Sequence, residues 1–140
     1  MNKFTYDDIT VGQEASFTVT ITDNNMAAFR MITGDDNPLH CDFGYAVNRG
    51  YDGRVTYGML TASYLSALAG MHLPGERSLI HEVEVKFVKP LVLRNNANLT
   101  VYGKVSEKND MFKRIVIKVT ITNDNGDKVL RGTMKVGVAE

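Results

Sequence analysis

A chain of 140 residues, 44% hydrophobic and 23% charged, has the size and mix of one globular domain and can bury a substantial core. Its 16 Lys and Arg balance its 16 Asp and Glu, which argues against a nucleic-acid-binding surface or a polybasic membrane anchor. Cys41 is the one cysteine, so neither an internal disulfide nor a cysteine-rich zinc site can form, and a reducing, cytoplasmic setting is expected. The opening run Met1–Asp8 has no apolar stretch of the signal-peptide kind, so no leader is expected.

In chain order, residues 14–21 alternate. Ala15, Phe17, Val19 and Ile21 share one face and Ser16, Thr18 and Thr20 the other, which predicts a strand. Thr22-Asp23-Asn24-Asn25 offers several helix N-caps, Met26, Phe29 and Ile32 follow at helical spacing, and Gly34 suits a helix end. Asp35-Asp36-Asn37-Pro38 is turn chemistry, and Asp42 is placed to cap a short helix through Tyr45, Ala46 and Val47. From Val55 to Gly75 there is no Asp, Glu, Lys or Arg. That length would cross a bilayer, but polar residues, Pro74 and several glycines interrupt it, so the reading is a helix from about Tyr57 or Gly58 to Met71, buried on nearly all sides, with no membrane span.

After Gly75 the pattern becomes strand-like. Leu79, His81, Val83, Val85 and Phe87 alternate with Ile80, Glu82, Glu84 and Lys86, which predicts an apolar face and puts His81 in the core or a pocket wall. Runs over 97–105, 114–122 and 129–138 follow, the last two joined by the hairpin signal Asn123-Asp124-Asn125-Gly126-Asp127. One antiparallel sheet wrapped around a buried helix accounts for the order: an α+β fold in a single domain, residues 1–140.

Chemistry concentrates in Thr33–His40, where a carboxylate leaves a helix end, a proline fixes the turn and an imidazole follows. Asp35 and His40 held a few ångströms apart would activate a water; the same residues also read as a cap and a surface side chain. Gly58 opens the uncharged helix, where a glycine admits a ligand close to the backbone and free N–H groups favour a developing oxyanion, or where it merely allows close packing. Among other candidates, Cys41 reads as a small buried hydrophobe and His72 as structural. Met59, Leu60, Tyr64 and Leu65 read as core or acyl-tunnel wall, and Arg49, Arg54, Lys86 and Lys89 as solvated charges or phosphate contacts.

The octet Thr33-Gly34-Asp35-Asp36-Asn37-Pro38-Leu39-His40, followed by Tyr45-Ala46, Gly58-Met59-Leu60, Leu73-Pro74-Gly75 and the Val85–Leu91 segment, resembles the hydratase motif of MaoC-like hot-dog proteins, which include (R)-specific enoyl-CoA hydratases. The resemblance implies the hot-dog fold and a hydro-lyase that adds water reversibly to a trans-2-enoyl thioester of CoA or an acyl-carrier protein. It implies Asp35 and His40 as the catalytic pair, Gly58 N–H as the thioester-oxygen donor, Asn37 and Ser66 in support, and Tyr57, Met59 and Leu60 as pocket candidates. Neither metal nor cofactor is expected. Tyr57 stands where family members often have histidine, a departure that bears on acyl and carrier specificity. A hot-dog thioesterase, which often draws a carboxylate from the central helix, is disfavoured by the absence of Asp and Glu over Tyr57–Leu73; a non-catalytic acyl-binding module is the remaining alternative. Pairing of exposed sheet edges implies at least a homodimer.

Overall fold

The computed structural model describes residues 1–140. Strand β1 (Glu14–Ile21) leads into α1 (Asp23–Thr33) through a capping box: Thr22 Oγ1 accepts from Asn25 N while Asn25 Oδ1 accepts from Thr22 N. Gly34 ends α1 in the left-handed region (φ 73°), where a Cβ would be strained. Two short helices follow, α2 (Pro38–Cys41) and α3 (Phe43–Asn48). The expected Asp42 cap is present, its Oδ1 accepting from Tyr45 N at 2.9 Å. Strand β2 (Arg54–Val55) precedes the uncharged helix α4 (Gly58–Ala67), which continues as one π-helical turn, Leu68–His72. The remainder is strand: β3 (Ser78–Phe87), β4 (Val92–Leu93), β5 (Ala97–Asn109), β6 (Arg114–Asn123) and β7 (Lys128–Val138).

The five long strands form one antiparallel sheet in the order β1-β5-β6-β7-β3, and β2 pairs with β4 in a separate ribbon. Leu60, Leu65, Leu68, Ala69 and Leu73 pack from the helical side against Leu99, Val101, Ile115, Ile117, Ile121, Met134 and Val136 of the sheet. At roughly 1.5–3 kcal/mol per large apolar side chain buried, this contact dominates the stability of the domain. It also fixes where the first turn of α4 sits.

The structure departs from the expectations in five places. The helix is α-helical only to Ala67, and the stretch to His72 is a π turn. It is not enclosed in the single chain: Met59, Ser63 and Ser66 are exposed at positions that share one side. The strand β3 carries a bulge between Ile80 and Glu82, so His81 is the additional residue and the alternation shifts by one; Ile80 rather than Leu79 turns inward. His81 is exposed rather than core, and Leu79, Val83 and Phe87 are 65%, 46% and 52% exposed on an edge strand with no outer neighbour. Finally, β5 runs past Val105 to Asn109 through a second bulge, and the β2–β4 ribbon had no signal long enough to predict it.

Candidate active site

The octet between α1 and α2 is ordered by side chains that bond the backbone two residues on. Asp35 N donates to Thr33 Oγ1 at 3.2 Å, Asn37 N to Asp35 Oδ1 at 3.0 Å and Leu39 N to Asn37 Oδ1 at 3.0 Å. Asn37 thereby caps α2, with Pro38 at its first position, and the helix carries His40. The Asp35 carboxylate keeps Oδ2 without a protein partner. Arg30 Nε pairs with Asp36 Oδ1, tying the loop to α1.

His40 is half-buried, and its Nδ1 lies 2.7 Å from Val55 O. A carbonyl only accepts, so Nδ1 carries the hydrogen and the neutral ring keeps its lone pair on Nε2. The ring stacks on Tyr57, with centroids 4.1 Å apart and planes at 29°. No hydrogen bond joins the Asp35 carboxylate to the imidazole directly. Both line one open cleft of about 520 Å³ with Phe29, Thr33, Tyr57, Gly58, Met59 and Phe87. A neighbouring cavity of about 650 Å³ shares the His40–Tyr57 wall and adds Met26, Arg30, Met31, Cys41 and Arg54 among others.

Gly58 is the first residue of α4, whose opening N–H groups have no intrahelical partner, and Tyr57 supplies no side-chain cap to them. These donors and the positive end of the helix dipole lie at a wall of the cleft. A Cβ on Gly58 would meet the Phe87 ring at 3.1 Å, so glycine keeps both the ring and the backbone close to the cleft.

Tyr57 is 3% exposed. Its hydroxyl donates to Asp35 O at 2.7 Å and lies 3.6 Å from Cys41 Sγ. Burial, followed by the Cys41 contact, pushes its phenol up to about 12.

Of the residues expected at the site, Asp35, His40, Gly58, Tyr57 and Met59 converge, and Asn37 organises the loop. Leu60 does not line the cleft; it is buried in the core. Ser66 is exposed two turns along α4 and lines neither cavity. Thr33, the first residue of the expected loop, also lines the cleft; Phe29 and Phe87 were not anticipated there, although Phe29 carries the helical-spacing signal of α1. His72 stacks on Phe17 at 4.7 Å, away from the cleft. Arg54 is paired with Asp23 and Lys89 with Asp127, and Arg49 lies over the Tyr45 ring at 4.8 Å. No three His, Cys, Asp or Glu side chains are grouped to hold a metal ion.

Comparison with known proteins gives this arrangement a family. Residues 8–126 match the family model of the MaoC like domain. The chain belongs to the MaoC-like domain family. Among relatives of this MaoC-like protein, an (R)-specific enoyl-CoA hydratase of Rhodospirillum rubrum is 33% identical over 119 residues, covering 84% of this chain and 80% of that one. An (R)-specific enoyl-CoA hydratase of Aeromonas caviae is 32% identical over 91 residues, 65% of this chain and 68% of that one. Among solved structures, an R-hydratase of Pseudomonas aeruginosa in its unliganded form superimposes with a TM-score of 0.92 at 28% identity, covering 99% of this chain and 87% of that chain. The fold of the MaoC-like chain is the hot-dog fold, its sheet laid around α4. None of its helices is long and apolar enough to cross a membrane.

Proposed function

We propose that this protein hydrates trans-2-enoyl thioesters reversibly to (R)-3-hydroxyacyl thioesters, with CoA or an acyl-carrier protein as the thiol carrier. It is an enzyme of the hydro-lyase class, as its MaoC-like domain and its hydratase relatives establish. The observation that carries the finer reading is the convergence of Asp35, His40 and the first turn of α4 on one cleft. In this reading a water sits between the Asp35 carboxylate and His40 Nε2. One group takes the water's proton as its oxygen attacks C3, and a proton is returned to C2. Negative charge grows on the thioester oxygen as C3 is attacked, and the Gly58 N–H with the α4 dipole is oriented in advance to meet it. Nothing in this sequence of steps calls for a metal or an organic cofactor. A chain with Cys41 as its one thiol suits the reducing cytoplasm.

The same reading includes a homodimer. The β3 edge is unpaired, and Met59, Val83 and Phe87 leave apolar surface open beside it and the cleft. A second copy set against this edge would cover that surface and narrow the cleft in which the exposed Asp35 stands.

The test is incubation with crotonyl-CoA, followed by loss of the conjugated enoyl absorbance and by a free-thiol assay. Loss of absorbance without thiol release is expected. Thiol release would mark a thioesterase, and silence with both CoA and carrier-protein thioesters would end the hydratase reading.

A further inference from the structure

The inference drawn here rests on the hydratase reading above and concerns how its parts are kept in register. We propose that Tyr57 is a positioning residue that locks the Asp35 loop and the His40 ring to the first turn of α4. Three contacts of one side chain carry this. The phenol donates to the Asp35 carbonyl at 2.7 Å, and this is the one hydrogen bond reaching Gly34–Asn37 from outside residues 30–40. The ring stacks on His40 and, on its own Nδ1 side, His40 is held by Val55 O, so both the plane and the spin of the imidazole are fixed. The backbone of Tyr57 is the N-cap of α4 and its carbonyl accepts from Thr61 N, so Gly58 N–H follows directly from where Tyr57 stands.

Tyr57 is itself immobilised. It is buried, it packs on Phe29 with centroids 4.9 Å apart, and its oxygen meets Cys41 Sγ. Asp35, by contrast, is exposed, and its other hydrogen bonds are to neighbours in the same turn. Apart from the Arg30–Asp36 pair, which ties it only to the end of α1, such a loop has no anchor facing the cleft, and displacement of a reacting group by about 1 Å costs on the order of 10²-fold in rate. The phenol proton is committed to the Asp35 carbonyl, and the group keeps that proton up to about pH 12. Tyr57 thus holds the reacting groups without exchanging protons with substrate.

Tyr57→Phe removes the hydroxyl and keeps the ring. The expected result is a kcat lower by roughly 10- to 100-fold with KM within about threefold, and both limbs of the pH profile retained. Amide exchange at Asp35, Asp36 and Asn37 is expected to rise about tenfold or more while the sheet stays protected. A kcat within twofold of wild type overturns the proposal, as does unchanged exchange in the loop. Loss of one pH limb overturns it in another way, by making Tyr57 an acid rather than a post. If the wild-type protein hydrates no enoyl thioester, the hydratase reading falls, and the exchange comparison still decides the tether: faster exchange supports it and unchanged exchange refutes it.

Discussion

Two loops of this protein use the same local chemistry and do different things. In the β6–β7 hairpin, Asn123 Oδ1 accepts from Asn125 N and Asp127 N at 3.0 Å, much as Asp35 and Asn37 accept from residues two positions on. The hairpin, with Gly126 at φ 78°, is also held from across the chain, by Lys89 on Asp127 and Asn98 on Asp124, but it lines no part of the cleft. The Thr33–His40 loop instead hands a carboxylate and an imidazole to a cleft, and is tied across the chain by Tyr57. Turn residues alone therefore mark a turn; the site is marked by what the rest of the fold brings to it.

Paired substitutions break this comparison apart. The largest effect is expected at His40: His40→Gln should lower kcat by about 10²–10⁴-fold, the usual range for a lost acid–base group, while Asp127→Asn in the hairpin leaves kcat within about twofold. Steady-state rates of the two variants decide it.

Next come the two turn asparagines. Asn37→Ala removes the α2 cap and Asn123→Ala the hairpin acceptor, and each should cost about 1 kcal/mol in denaturant unfolding. Asn37→Ala should also lower kcat by roughly tenfold, through a displaced His40, whereas Asn123→Ala should not. Equal effects on kcat would erase the distinction between the loops.

The effect confined to the narrowest range of conditions concerns alkaline stability. The Tyr57 phenol is raised from the ordinary 10.0 to about 12 in the folded chain. Between those values the unfolded chain has lost the proton that the folded chain still binds, so stability falls as pH rises from 10 through about 12. Below pH 10 that contribution is fully present. Tyr57→Phe should therefore show a shallower alkaline loss than wild type in unfolding measured across this window.

Much of this was legible in the sequence because the signals are local. The N-cap at the head of α1, offered by Thr22–Asn25 and taken by Thr22, the Asp42 cap, the Gly34 helix end, strand β1 and the β6–β7 hairpin each depend on residues a few positions apart. What failed depends on partners far along the chain. The inward face of β3 is set by a bulge at His81 in its pairing with β7, which no alternation pattern reveals. The uncharged helix correctly signals burial against the sheet, but its absence of charge does not reveal that Met59, Ser63 and Ser66 stay exposed on one side. At the site, Asp35, His40 and Gly58 stood out by motif. The part played by Tyr57 did not, because its bond to Asp35 spans 22 residues. Phe87 reaches the cleft only because β3 passes beside Gly58.

The central claim is that Asp35 performs chemistry rather than merely shaping a turn, and Asp35→Asn separates the two roles. Asparagine retains the Oδ1 acceptor for Asn37 N and loses only the carboxylate. In crotonyl-CoA hydration the account predicts a rate at least about 10²-fold below wild type, with an unchanged melting curve. An Asp35→Asn enzyme that hydrates as fast as wild type would contradict it.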